Sequence, residues 1–182
     1  MTGTGPPVYR GRMTNCPVFV MWPFIVIGAF HGNVGIPAAH VESLVALRIL
    51  GVVQERCPAA QIVHPDDRTP VAAIPGYVAA LGGPPVSTLE VQAAMYAAGH
   101  GAQYLLVPTV ERWDQMGTDD PIGAFIGSRN RVAVSLRLMR LDRPAVMGRT
   151  TFENRSHITF NQDASRLLNG RFDRALRKLL WN

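Results

Sequence analysis

Tyr104-Leu105-Leu106-Val107-Pro108-Thr109-Val110-Glu111-Arg112-Trp113 is dense in β-branched and aromatic residues, and together with the next forty residues it decides the fold. A Gly- and Asp-rich break runs from Gln115 to Ser128. Val132, Val134, Leu136 and Leu138 then occupy every second position, with Ala133, Ser135 and Arg137 between them. A period of two lays one side of a strand against a core. Asp142-Arg143-Pro144 supplies turn chemistry, and Ala145 to Phe152 reads as a strand coming back. The expectation is a three-stranded antiparallel meander with one apolar face, which needs a layer of helices to cover it.

Upstream of this stretch, Pro17 to Phe24 reads as a first strand, apolar on both faces as a central strand should be. Ile25 to Ala29 extends it beyond the interruption at Pro23. Helical periodicity begins after Pro37, with Val41, Leu44, Val45, Ile49, Val52 and Val53 on one face and Glu42, Arg48 and Glu55 off it. Pro58 ends that helix, and Gln61 to His64 is a short strand. Residues 69–86 are rich in Pro and Gly, with room for one helical turn around Tyr77 to Leu81. Ser87-Thr88-Leu89-Glu90 has the form of a capping box, opening a helix over Leu89–Ala98 that Gly99-His100-Gly101 stops. Beyond the meander, Asp163 is the expected N-cap of a last helix. Its apolar stripe is Leu167, Leu168, Phe172, Leu176, Leu179 and Leu180, and its basic face is Arg166, Arg171, Arg174, Arg177 and Lys178.

The expected fold class is therefore α/β (α+β). It is a single mixed sheet in the order β-α-β-α-β-β-β-α, with a C-terminal antiparallel meander and helices packed on the sheet. Residues 1–16 read as a flexible or docking N-terminal arm, and residues 17–182 as a single α/β domain. No internal repeat is visible.

Bulk composition agrees with one packed domain. Hydrophobic residues make up 47% of the 182 residues and charged ones 17%, which excludes disorder over most of the length. The 18 basic and 13 acidic residues leave a net charge of +5, and Lys178 is the only lysine. An Arg bias of this kind suits phosphate or carboxylate recognition, and equally suits a GC-rich genome. No stretch reaches the roughly 18–20 apolar residues that span a bilayer. Pro17 to Phe30 follows Arg10 and Arg12 as a signal peptide's apolar core would, but no small-residue cleavage site follows it. Met13-Thr14-Asn15-Cys16 makes a poor lipobox. Cys16 and Cys57 are too few for a disulfide framework and have no zinc spacing. They are either one bridge, in an oxidising compartment, or two independent thiols.

Motifs that carry chemistry are sparse. Gly32-Asn33-Val34-Gly35 lies between strand and helix, but lacks the spacing of a phosphate loop and reads as a connection. His31, His40, His64, His100 and His157 show no metal-binding spacing. His64-Pro65-Asp66-Asp67 puts a base near carboxylates at a strand end, though Asp side chains capping a turn explain it as well. Ser128 and Ser135 have no nucleophile-elbow context. No catalytic residue, cofactor site or metal site is expected. Arg129, Arg131, Arg137, Arg140, Arg143 and Arg149 could line one face and, with the last helix, bind nucleic acid; the simpler reading is a solvated sheet face. In the break from Gln115 to Ser128, Met116, Ile122, Phe125 and Ile126 are apolar residues on a long loop. With Arg129 they are the expected partner contact.

Three segments carry a family resemblance. Val18-Phe19-Val20-Met21-Trp22-Pro23-Phe24, Gly101-Ala102-Gln103-Tyr104-Leu105-Leu106-Val107-Pro108-Thr109-Val110, and the hairpin Val132 to Gly148 together resemble the envelope lipoprotein domains related to CsgG, the N-terminal domain of TolB and LpoB. In that group the opening strand ends in Pro-Phe and the second segment reads Gly-Ala-Asp-Tyr … Gly-x-Val. Here Gln103 stands for the Asp and Pro108 for the Gly, and Arg143-Pro144 replaces the usual Thr-Gly after the Asp turn. The resemblance implies a non-enzymatic structural or assembly subunit of a cell-envelope complex, periplasmic or outer-membrane-associated. Its partners would be other protein subunits, including copies of itself, with no small-molecule substrate. It transfers no catalytic residue. The alternative is nucleic-acid binding through the Arg-rich faces.

Overall fold

The computed structural model describes residues 18–25, 29–31, 36–64, 88–115, 130–143, 145–156 and 164–181. In chain order the elements are β1 (Val18–Met21), β2 (Phe24–Ile25), β3 (Phe30–His31), α1 (Ala38–Gln54), β4 (Gln61–Val63), α2 (Thr88–Gly99), β5 (Tyr104–Asp114), β6 (Arg131–Arg140), β7 (Ala145–Arg155), a 3₁₀ turn (Ala164–Leu167) and α3 (Gly170–Trp181). They form one mixed sheet in the order β4-β1-β5-β6-β7. β1 runs parallel to β4 and β5, and β5, β6 and β7 are the antiparallel meander. The fold class expected from the sequence is the one observed.

The first strand is not continuous. β1 and β2 are separated at Trp22 and Pro23, and β1, β2 and β3 each pair in parallel with β5. The break at Trp22 and Pro23 falls between the Val20–Leu106 and Phe24–Thr109 pairings, at the level of Pro108. Two prolines without ladder N–H groups thus share one gap in the hydrogen bonding, which is where a sheet tolerates them.

Connections to and from β4 run in opposite directions across the sheet, so the right-handed crossover rule puts α1 and α2 on opposite faces. One face packs Val18, Val20, Leu106, Val110, Val134, Leu136 and Phe152 against α1 (Val41, Val45, Ile49) and α3 (Phe172, Leu176, Leu180). Phe152 and Phe172 meet edge to face at 5.2 Å, a favoured aromatic geometry. The other face packs Phe19, Met21, Val63, Leu105 and Val107 under Ala93, Ala94 and Ala97 of α2. Small alanines let this helix sit close. β5 is therefore buried on both faces along its first half, unlike the one-sided strand its place in the meander suggests. The one-sided pattern belongs to β6 and β7.

α2 ends in a Schellman motif. Ala102 N–H donates to Ala97 O at 2.9 Å and Gly101 N–H to Ala98 O at 3.1 Å, with Gly101 at φ 80°. At its start, Ser87 lies outside the described residues, so the capping box rests on no described Ser87 contact. The last helix begins later than its apolar stripe suggests. Leu167 closes the 3₁₀ turn and Leu168 follows it, and Asn169 is the N-cap of α3: its side-chain oxygen accepts from Arg171 N–H at 3.0 Å. Asp163, the expected cap, lies outside the described residues.

Cys57, fully buried, is disulfide-bonded. Independent thiols, one of the two readings open from the sequence, do not describe it. Cys16, the chain's other cysteine, lies outside the described residues.

Candidate functional site

α2 packs on the β4-β1-β5 side of its face and reaches Met139 of β6. Beside it, along β5, β6 and β7, lies a cleft of ≈ 310 Å³ whose described lining is Glu90, Val107, Thr109, Glu111, Ser135, Leu136, Arg137, Arg149, Thr150 and Thr151. The strand period places Ser135 and Arg137 on this face, opposite the buried Val134, Leu136 and Leu138.

The cleft sets two arginines side by side, one of them paired with a carboxylate. Arg137 and Arg149 stand directly opposite each other on adjacent strands, an unfavourable arrangement for like charges. Glu90, from the first turn of α2, accepts a hydrogen bond from Arg137 Nη2 and lies near enough to feel the Arg149 charge. Burial nevertheless dominates. Desolvation pushes the Glu90 carboxyl above its ordinary value, against the pull of Arg137 and then Arg149. Beside this pair, Ser135 Oγ donates to Glu111, and the Ser135 and Thr151 hydroxyls meet at 3.0 Å. Farther along β7, Glu153 bridges Arg131 at 2.7 Å and Arg155 at 2.8 Å. Arg155 holds its carboxyl below the ordinary range, with Arg131 adding to the effect.

Chemically, the cleft offers hydroxyls, carboxylates and guanidinium groups, of which Arg137 bonds Glu90 and Ser135 bonds Glu111 and Thr151. Ser135 has a carboxylate beside it but no histidine among the described lining residues, so these residues do not assemble the charge-relay geometry of a serine nucleophile. Among the described residues no group of three or more His, Cys, Asp or Glu stands ready for a metal ion, and no helix is long and apolar enough to cross a membrane.

The sequence candidates fare unequally. Met116, Ile122, Phe125, Ile126 and Arg129 lie outside the described residues, as do Ser128, Asp66, Asp67 and the Gly32–Gly35 segment. What is described is the base of the 116–129 segment: Asp114 pairs with Arg131 across β5 and β6, and Gln115 Oε1 accepts from Ala164 N–H at 3.3 Å. The loop leaves and returns at one end of the meander. His64 is exposed and meets the Trp22 ring at a tilt of 30°, with centroids 4.3 Å apart, while Trp22 Nε1 donates to Glu42 at 2.9 Å. His100 stacks on Tyr96 at 4.1 Å. Of the meander arginines, Arg131, Arg137 and Arg140 are paired with Glu153, Glu90 and Asp142, and Arg177 of the last helix with Glu55. The basic faces are thus partly neutralised within the chain.

The Glu90–Arg137 pair escaped sequence reasoning. Glu90 carried a capping-box signature, and Arg137 looked like an ordinary outward residue of an alternating strand. The available signal was that β6 must continue beside β5, whose own second face is apolar at Leu105 and Val107 and therefore covered.

No protein-family model matches the chain, and no curated protein matches it. Solved structures do. A leucine-to-methionine variant of PelC from Paraburkholderia phytofirmans, described as a dodecamer, is 17% identical over 99% of this chain and 96% of its own, with a TM-score of 0.50. Lipoprotein GNA1162 from Neisseria meningitidis is 14% identical over 90% and 96%, with a TM-score of 0.48. The LpoB C-terminal domain from Salmonella enterica is 13% identical over 75% and 81%, with a TM-score of 0.36. At the PelC level the likeness is one of fold, and it runs end to end.

Proposed function

We propose that this chain is a non-enzymatic structural subunit of a bacterial cell-envelope assembly, periplasmic or outer-membrane-associated, working through protein–protein contacts that include copies of itself. The observation that carries the reading is the end-to-end match in fold to a chain described as a dodecamer. Supporting it independently, the buried Cys57 is in a disulfide, a bond that persists outside the reducing cytoplasm. In this reading residues 1–16 are an arm on a single domain of residues 17–182. The loop bearing Met116, Ile122, Phe125 and Ile126, with Arg129 at its return, meets a protein partner.

Nucleic-acid binding is the weaker reading, because Arg131, Arg137, Arg140 and Arg177 already have carboxylate partners. The deciding experiment is purification from the native host after mild crosslinking, with identification of the co-eluting chains. Envelope proteins in stoichiometric amount support the proposal. A protein recovered alone, from the cytoplasm, with Cys57 reduced, ends it. Salt-sensitive retention on immobilised DNA or RNA would instead favour the second reading.

A further inference from the structure

β7 is the last strand of the sheet, and no described strand pairs with its outer side. It is long for an edge, at 11 residues. From Gly148 to Arg155 it pairs residue by residue with β6, the register shifting only between Leu138 and Met139. A straight edge of this length presents a row of ladder N–H and C=O groups to any strand that fits. Arg149, Thr151, Glu153 and Arg155 on it are exposed.

The order of these side chains is self-complementary about Thr151. In an antiparallel pairing of β7 with β7 of a second copy, a two-fold axis at Thr151 sets Arg149 opposite Glu153 and Glu153 opposite Arg149. Registers centred on Arg149 or Glu153 set like charges opposite each other, and the register pairing Thr151 with Glu153 brings Arg149 opposite Arg155. Cross-strand pairs decide register, and like charges directly opposite disfavour it. A strand edge that matches itself under a two-fold rotation is an isologous interface and closes on itself.

We infer that β7 is a self-association edge, which joins two copies of this chain into one continuous sheet by antiparallel pairing centred on Thr151. The occupant is a second copy and not an unrelated strand, because the charge pattern complements its own reversal. This rests on the proposed assembly role and names one contact of it. Every particle built through this edge holds an even number of chains. The second faces of the two copies then lie on one side of the continuous sheet, with the Arg149–Thr151 side of each cleft at the seam.

The test uses the whole chain. Light scattering after size exclusion, over a concentration series, is run on the wild type, Arg149→Glu, Glu153→Arg and the double reversal. The expected result is that each single reversal weakens association by at least about tenfold in the dissociation constant, because it places like charges together twice across the axis, and that the double reversal recovers it. Thr151→Cys should oxidise to a covalent dimer much faster than an exposed control, Arg166→Cys. Where a single reversal prevents folding, the Thr151→Cys comparison decides the matter. An oligomer unmoved by both single reversals, or equal crosslinking at the two cysteine positions, overturns this edge and leaves the assembly reading standing. A monomer at every concentration overturns both.

Discussion

Arg48 of α1 holds Asp173 of α3 with two parallel bonds, Nε to Oδ1 at 2.9 Å and Nη2 to Oδ2 at 2.6 Å. The two residues are 125 apart in sequence. Asp173 is nearly buried, with 12% of its side chain exposed. It also sits in the first turn of its helix, where a negative charge is favoured by the helix dipole. One turn farther along, Arg177 reaches Glu55, the C-cap of α1, at 2.7 Å. Because 48 pairs with 173 and 55 with 177, the two helices run in the same direction across one face of the sheet.

Asp173→Ala leaves a two-pronged guanidinium without its partner, and it is expected to cost about 1.5–3 kcal/mol, the range for hydrogen bonds to charged groups. Arg48→Lys keeps the charge but loses the fork, and should lose part of that. Arg177→Ala, whose partner is exposed, should cost clearly less. Urea unfolding of the three variants checks the order. A larger loss from Arg177→Ala than from Asp173→Ala would contradict it.

Gly101 occupies a position that other residues enter only with strain, at φ 80°. Nothing crowds a Cβ built there, so the cost of Gly101→Ala is conformational alone, about 1–2 kcal/mol. Gly101→Asn should cost less, because Asn tolerates the left-handed region better. The same stability measurement separates the two variants, and an Ala variant as stable as wild type would remove the Schellman argument.

Gly148 of β7 faces Leu179 of α3 so closely that an added Cβ would lie 2.8 Å from Leu179 Cδ1. The obstructing atom is the far end of a flexible side chain. Gly148→Ala should therefore be tolerated with small loss. Gly148→Val overpacks the site and should cost about 1–3 kcal/mol. Leu179→Ala should relieve most of the Val penalty. A double-mutant cycle reads this as a favourable coupling between the two changes, and strict additivity would show that the contact is not the cause.

The strands were legible because their signal is local. Alternation from Val132 to Leu138 fixed both the element and its buried face, and Asp142-Arg143-Pro144 marked the turn. The apolar stripe of the last helix was legible too, but its start was not. Leu167 and Leu168 are buried in and just beyond the 3₁₀ turn ahead of the helix, so their hydrophobicity mimics another helical turn. Sequence spacing cannot tell an apolar residue packed from a helix from one packed beside it. The cleft was hidden for a different reason. Arg137 and Glu90 are 47 residues apart, and only the placement of α2 over half a sheet face brings them together. Period two says which way Arg137 points, and it is silent on what stands above it.

Glu90 and Glu153 give opposite dependence on pH. Burial raises the Glu90 carboxyl from its ordinary 4.5. Its folded form binds protons more readily than the unfolded chain, so its contribution to stability is full below the unfolded value and is lost as pH rises through the folded one. Glu153 is lowered from 4.5, first by its hydrogen bond from Arg155. Its contribution is present above the unfolded value and is lost as pH falls through the folded one. Glutamine at either position removes the titration and keeps an acceptor oxygen. Across about pH 3 to about pH 7, the stability of wild type relative to Glu90→Gln should fall with rising pH, and that relative to Glu153→Gln should rise. Denaturant midpoints at each pH supply both differences. A rising slope against Glu90→Gln as well would mean that Arg137, not desolvation, governs the Glu90 carboxylate.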